Sequence, residues 1–309
     1  MQTILGANGQ IAVELTRELR RSHAGDLRLV SRHPRKVDAA DTLASADLMD
    51  AGQTARAVAG SEIVYFTAGL PPDTALWERQ FPTMLRNALD ACRAAGAKFA
   101  YFDNTYMYPQ DGRVLTEETP FMPNGRKGRV RAEMATMVLE EMARGEIPVL
   151  IARAPEFYGP GKTQSFTNAL VTDRLAAGKQ ARVPLRDDTK RTLVWTPDAS
   201  RGLALLGNTP DAFGQTWHLP CCDDRPTYKE YVAMACAAFG KSVSYKVLGK
   251  FAFAVAGLFS PQVREIRELL PRYEHDNLFD SSKFKRRFPE FGAMSYHEGI
   301  ARIRGSQQT

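Results

Sequence analysis

Strand-like and helix-like segments alternate along the first half of this chain, and that alternation limits the fold more than any other feature of the sequence. Short apolar runs stand at 3–5, 27–30, 43–48, 63–66, 99–102 and 149–151. The stretches between them carry apolar residues at helical spacing. Ile11, Leu15 and Leu19 make one such face. Phe81, Leu85, Ala88 and Cys92 make another within 77–95, which Gly96 stops at a C-cap position. A third helix is predicted over 129–143, with Val130, Met134, Met137 and Val138 on its apolar side. Strands that alternate with helices pair in parallel through crossovers. The predicted class is therefore α/β, a doubly wound parallel sheet, whose ligands sit at the carboxyl ends of the strands. Gly6, Arg32, Ala68 and Asn104 all follow predicted strands directly.

Beyond about residue 155 the rhythm weakens. Helices remain predicted at 200–206 and 228–239, and a strand at 216–219, among loops such as Tyr158-Gly-Pro-Gly161 and Arg225-Pro226. This half reads as a smaller mixed α/β lobe. A length of 309 residues allows roughly two domains. The expected division is discontinuous: 1–155 with a returning segment near 191–215 for nucleotide binding, and 156–190 with 216–309 for substrate. Gly305–Thr309 reads as a frayed tail.

Gly6-Ala7-Asn8-Gly9-Gln10-Ile11-Ala12 lies between the first strand and the first helix. Glycines permit a tight turn and a close backbone approach to a pyrophosphate, and the helix start at Gln10 and Ile11 supplies amide donors at the positive end of its dipole. An NAD site commonly carries an acid at the end of the second strand. This chain has Val30-Ser31-Arg32-His33-Pro34-Arg35-Lys36 there instead. Arg32 can stack on adenine and pair with a 2′-phosphate, with Ser31 and Arg35 beside it. NADP is therefore the expected cofactor, ahead of NAD. Asp47 can accept from the adenine amino group while the Leu48 amide meets a ring nitrogen. Thr67, Ala68 and Gly69 are small enough to leave room for a ribose.

These residues, together with Tyr101-Phe-Asp-Asn-Thr-Tyr-Met-Tyr-Pro109 and Arg153-Ala-Pro-Glu-Phe-Tyr-Gly-Pro160, resemble the extended short-chain dehydrogenase/reductases of the NAD-dependent epimerase/dehydratase group. The resemblance covers nearly the whole chain. It implies a Rossmann core, a substrate lobe, and Pro155 beside the cofactor. It also implies a Ser or Thr and a Tyr-x-x-x-Lys pair, in which the Tyr serves as general acid or base. Here Asn104, with Thr105 beside it, aligns with the Ser/Thr. Lys127 and Arg131 take the places of Tyr and Lys. Lys127 or Tyr108 would move the proton, and Arg131 would hold the nicotinamide ribose. The departure leaves two readings: an oxidoreductase with an atypical site, or a catalytically silent NADP-binding redox sensor. Four cations at 126–131 oppose a helix dipole; they read either as a solvated helix start or as a group relieved by an anionic neighbour.

Other classes lack their signatures. The five histidines have no metal-ligand spacing, no G-x-S-x-G string occurs, and no Walker lysine follows the glycine turn. Four cysteines without a C-x-x-C pair read as reduced thiols, the vicinal Cys221-Cys222 included. The start, MQTILGANGQ, has no secretory pattern. The longest apolar run, Phe251–Phe259, is far below the roughly 18 residues of a membrane span. That run reads first as buried core, and otherwise as the wall of a substrate pocket or a face for a second subunit. A cytoplasmic monomer or homodimer acting on a small molecule is expected, with no membrane and no nucleic acid as partners. The net charge of +6 reads chiefly as the basic side of a cofactor site at 32–36 and 126–131. Lys283–Arg287 reads as a solvated helix face.

Overall fold

The computed structural model describes residues 1–23, 25–161 and 163–306. Its first strand, β1 (Gln2–Leu5), has Ile4 and Leu5 completely buried. Burial on both faces is what a central strand of a parallel sheet covered by helices requires. The other strands are β2 (Leu27–Ser31), β3 (Thr42–Ser45), β4 (Ile63–Phe66), β5 (Lys98–Asp103), β6 (Val149–Arg153) and β7 (Gln215–His218). Their order across the sheet is β7-β6-β5-β4-β1-β2-β3, with every pair parallel. Leu5 pairs in register with Val30 on one side and Phe66 on the other. The strand order runs outward in both directions from β1, so the crevice between the ends of β1 and β4 is the switch point where such sheets bind ligands.

The helices are α1 (Gln10–Ser22), α2 (Ala51–Val58), α3 (Thr74–Ala95), α4 (Gly125–Arg144) and α5 (Thr196–Gly207). The predicted face Phe81, Leu85, Ala88, Cys92 of α3 is buried, and Gly96 closes the helix with φ +64°. The sequence reading has no α2, because its buried side is only Thr54, Ala57 and Val58 and gives a weak apolar period. Its start is marked instead by Asp50, whose carboxylate accepts from the Gln53 amide at 2.8 Å. The predicted third strand ends early, at Ser45, so Asp47 and Leu48 lie in the turn before α2.

The chain divides into two compact units: 1–107, 126–154 and 199–219, and then 108–125, 155–198 and 220–309. Residues 108–125 and 191–198 thus pack with the second unit rather than with the sheet. The first unit's core joins Phe66, Phe99 and Tyr101 to the inner faces of α3 and α4.

The second unit is built around aromatic residues, with Tyr158 between Trp195 and Tyr296 at ring separations of 5.2 and 5.4 Å. Trp195 and, in the first unit, Trp217 are buried, as the sequence reading expects. The run 251–259 departs from that reading. It forms the helix Lys250–Phe259, in which Phe253 and Gly257 are buried while Phe251, Leu258 and Phe259 are exposed. In the short helix Ser282–Arg287, Phe284 is buried and Lys285 pairs with Asp223 at 2.5 Å. The four cysteines are free thiols. Of the predicted tail, Gly305 and Ser306 end the helix Tyr296–Ser306, and 307–309 lie outside the described residues.

A buried charge pair organises the second unit. Glu156 accepts from Arg191 at 3.1 Å, from Thr167 at 2.7 Å and from the Tyr273 hydroxyl at 3.1 Å. Burial alone would raise the carboxyl's pKa; the Arg191 and Arg272 charges and the Thr167 hydrogen bond outweigh it and hold it below the ordinary carboxylate range. A depressed folded pKa contributes stability above the unfolded value of about 4.3. That contribution is lost as the pH falls through the lower folded value. Glu156→Gln should therefore flatten the acid limb of the stability profile. At neutral pH it should cost roughly 3–5 kcal/mol by leaving Arg191 without its partner. Urea titrations at pH 7 and across the acid range check both effects.

Candidate functional site

The turn after β1 is tight because its glycines have nothing to clash. Gly6 has φ +89°, and a Cβ there would lie 2.5 Å from Ala68 Cα and 2.7 Å from Ala68 N. The Gly6 and Ala7 amides both donate to Val30 O, at 2.9 and 3.0 Å, and the Gly9 amide returns to Gly6 O at 3.0 Å. Gly9 is the N-cap of α1, exposed, with no side chain on the helix end and no acid in the first turn. A helix N-terminus without a capping side chain or an acid suits a bound anion. Gln10 and Ile11 open α1, and Ser200 Oγ on α5 donates to Ile11 O at 3.1 Å. The Thr67 amide and hydroxyl donate to Leu5 O at 3.0 and 2.9 Å, which fixes the β4 exit against β1. Gly69 is exposed with open space around its Cα.

Asn8 holds the basic loop rather than standing free for a ligand. Its amide donates to His33 O at 2.7 Å and its carbonyl accepts from the Arg35 amide at 3.2 Å. Asp41, which the sequence reading passes over, shapes the far end of that loop. It is 3% exposed and accepts from the Val37 and Asp38 amides at 2.9 and 2.7 Å and from Arg20 at 2.9 Å. Arg32 and Arg35 are exposed, and neither has an ion-pair partner among the described residues. The Ser31 hydroxyl beside them is buried without a hydrogen-bond partner there. Asp47 is half-buried; one carboxylate oxygen accepts from the Met49 amide at 3.0 Å and its own amide donates to Gln53 at 3.0 Å. Leu48 is buried, and its carbonyl accepts from Asn87 at 2.9 Å.

At the end of β5, Asp103 is completely buried. It accepts from Arg153 Nε at 3.0 Å and lies 3.9 Å from the Arg131 guanidinium. Asn104 forms an Asx turn, accepting from the Tyr106 amide at 3.0 Å, and Thr105 is buried behind it. Helix α4 starts four residues before the predicted 129, so the cations at 126–131 are not one solvated cluster. Arg126 and Arg129 face solvent, while Lys127 and Arg131, one turn apart, face inward at 1% and 8% exposure. Arg126 pairs with Glu78 through Nε at 2.8 Å and holds that carboxyl below its ordinary range. Lys127 Nζ donates to Thr74 Oγ1 and lies 5.9 Å from the Trp77 ring centre. Arg131 lies 5.2 Å from the Phe81 ring centre and 6.0 Å from that of Trp77. Trp77 stacks on Tyr106 at 6.2 Å, nearly parallel at 9°. Thr74, Trp77 and Asp103 carry no motif of their own. Only the fold brings them to Lys127 and Arg131.

Two predicted residues belong to the second unit. Tyr108 is completely buried there, its hydroxyl donating to Thr116 O at 2.9 Å and its ring 6.0 Å from Phe121. The phenol is thus held by packing and by a backbone carbonyl. Pro155 is buried and stands where the chain leaves β6. Among the described residues, no three His, Cys, Asp or Glu side chains are grouped to hold a metal ion.

The chain resembles solved structures along its whole length. The UDP-glucuronic acid 4-epimerase of Bacillus cereus, solved with NAD, is 15% identical with a TM-score of 0.79, covering 100% of this chain and 99% of that one. The dTDP-glucose 4,6-dehydratase DesIV of Streptomyces venezuelae, a double mutant solved with NAD, is 18% identical with a TM-score of 0.76, covering 100% and 97%. An uncharacterized protein of Sinorhizobium fredii, y4nL, is 25% identical over 197 residues, 60% of this chain and 53% of that protein, so the match spans about half of that relative's length. The model of the NAD dependent epimerase/dehydratase family matches residues 3–219. With its glycine turn at the switch point of an all-parallel sheet, this chain belongs to the NAD dependent epimerase/dehydratase family.

Proposed function

We propose that this chain is an NADP-preferring oxidoreductase of the epimerase/dehydratase type, with Lys127 and Arg131 in place of the usual Tyr and Lys. The observation that carries the cofactor choice is the end of β2, where the buried Ser31 hydroxyl has no partner among the described residues and Arg32 and Arg35 are exposed without an acid. A 2′-phosphate would satisfy all three. Gly6, Gly9, Gln10 and Ile11 would hold the pyrophosphate, Asp47 and Leu48 the adenine, and Thr67, Ala68 and Gly69 the adjoining ribose.

When bound, the nicotinamide supplies hydride transfer. The chain's own residues would do the rest. Asn104 or Thr105 would bind the substrate oxygen, and Lys127 would hold or release a proton at Nζ. Arg131 stays charged and is no proton shuttle, so it would bind ribose hydroxyls, with Asp103 setting its orientation. The substrate is a small oxygenated molecule. Nucleotide sugars are the first class to try, since the similar structures are named for acting on them.

A second reading has its own support. Lys127 and Arg131 are buried and already engaged with Thr74 and Asp103. A protein that binds NADP and reports its redox state without turnover needs no more than that.

Titration by nicotinamide fluorescence and thermal shift should detect NADPH binding. A charge-assisted hydrogen bond contributes about 1.5–3 kcal/mol. Arg32→Ala and Arg35→Ala should thus each weaken NADP binding roughly tenfold to a hundredfold, with NAD binding unchanged. Absence of binding to either nucleotide would sink both readings.

A screen of aldehydes, ketones and nucleotide sugars for NADPH consumption separates enzyme from sensor. If turnover is found, Lys127→Met, which keeps the buried stem, should lower it roughly 10²–10⁴-fold while NADPH affinity holds. Unchanged turnover in this variant removes Lys127 from the chemistry.

A further inference from the structure

One surface of the second unit has no place in the cofactor chemistry. The helix Lys250–Phe259 presents Phe251, Val255, Leu258 and Phe259 outward, at 81%, 40%, 77% and 84% exposure. Spacings of four, three and one residue put these side chains within about 100° of helix circumference. The opposite side, Phe253 and Gly257, is buried; a Cβ on Gly257 would meet the Arg267 side chain at 3.2 Å and the Arg264 backbone at 3.5 Å. A helix on a soluble surface turns polar residues outward. This one is apolar on both sides, and Val243 and Val247, on the preceding segment, are exposed as well, at 57% and 39%.

The charges around this patch say what covers it. Between residues 240 and 268 there are five cations, Lys241, Lys246, Lys250, Arg264 and Arg267, against two acids, Glu265 and Glu268. All five are exposed. Lys250 is paired with Glu274 at 2.8 Å, and no ion pair within this unit engages Lys241 or Lys246 among the described residues. A symmetric contact between two copies would set these cations against one another. An anionic surface would be attracted by the rim and would take up the protruding rings. Phenylalanine and leucine on one face with lysine and arginine beside them is the composition of a helix that lies in a membrane interface. We infer that the helix Lys250–Phe259 and its basic flanks dock this protein reversibly on an anionic lipid bilayer, without spanning it. This inference departs from the expectation that no membrane is a partner.

The test is co-sedimentation of the full chain with large unilamellar vesicles, either pure phosphatidylcholine or phosphatidylcholine with phosphatidylglycerol. The lipid-bound fraction should be at least tenfold greater on the anionic vesicles at low salt, and should fall steeply as salt is raised. Joint Phe251→Ser, Leu258→Ser and Phe259→Ser substitution should abolish binding; Lys246→Gln with Lys241→Gln should weaken it severalfold. A Phe251→Trp reporter should shift its emission to the blue on anionic vesicles alone. Circular dichroism checks that each variant is folded. No sedimentation with anionic vesicles overturns the inference, as does equal binding by the triple serine variant. Self-association that the serine variant abolishes, with no vesicle binding, also overturns it and assigns the face to a second copy.

Discussion

A side chain at residue 6 would set its Cβ 2.5 Å from Ala68 Cα, so the exits of β1 and β4 meet only around glycine. Much else at the head of the sheet rests on that contact. It brings the N-terminus of α1 to the switch point, where Gly9 caps the helix without a side chain. It also seats the Thr67 hydroxyl on Leu5 O, so that the two walls of the crevice are joined by a side chain as well as by strand pairing. The basic loop after β2 is then tied to the same turn through Asn8. The glycine turn and the basic loop are thereby held as one piece.

The opposite end of the site depends on burying charge. Asp103 sits at the end of β5 between two guanidiniums, and a carboxylate with no exposed surface needs them both to offset its lost hydration. Arg131 is held on one side by this acid and on the other by the Phe81 and Trp77 rings. Lys127 shares the Trp77 ring and takes the Thr74 hydroxyl. Two cations on one stripe of α4 are thus built into a mostly aromatic wall. Only a helix starting at Gly125 gives them that shared inward face.

Legibility followed the strength of the local signal. β4 and α3 were plain, one as a β-branched and aromatic run, the other as a long stripe closed by Gly96. The glycine turn was plain too, because its geometry excludes other residue types. α2 was not, since alanine and threonine on its buried side make hardly any periodic contrast. The cations at 126–131 were legible as a group. Their separation into two buried and two exposed residues was not, because it depends on where the helix begins and on what α3 sets against it. Tyr108 stood in a motif-like string, and its burial with the hydroxyl on Thr116 O was not legible there.

The sequence by itself determined the parallel α/β class, the position of the nucleotide turn, the basic character of the loop after β2 and the family likeness. Each of these is written in residue type and spacing over a few turns or strands, where conformational preference and period act locally. Tertiary structure alone decided that Asp103 joins Arg131 to Arg153, that Asp41 shapes the basic loop, and that Ser31 keeps a buried hydroxyl without a partner. It also decided that the apolar run at 251–259 turns Phe251 and Phe259 to solvent while it buries Phe253. Those outcomes depend on which distant segments are brought into contact, and burial and charge pairing are properties of that contact rather than of any one stretch of chain.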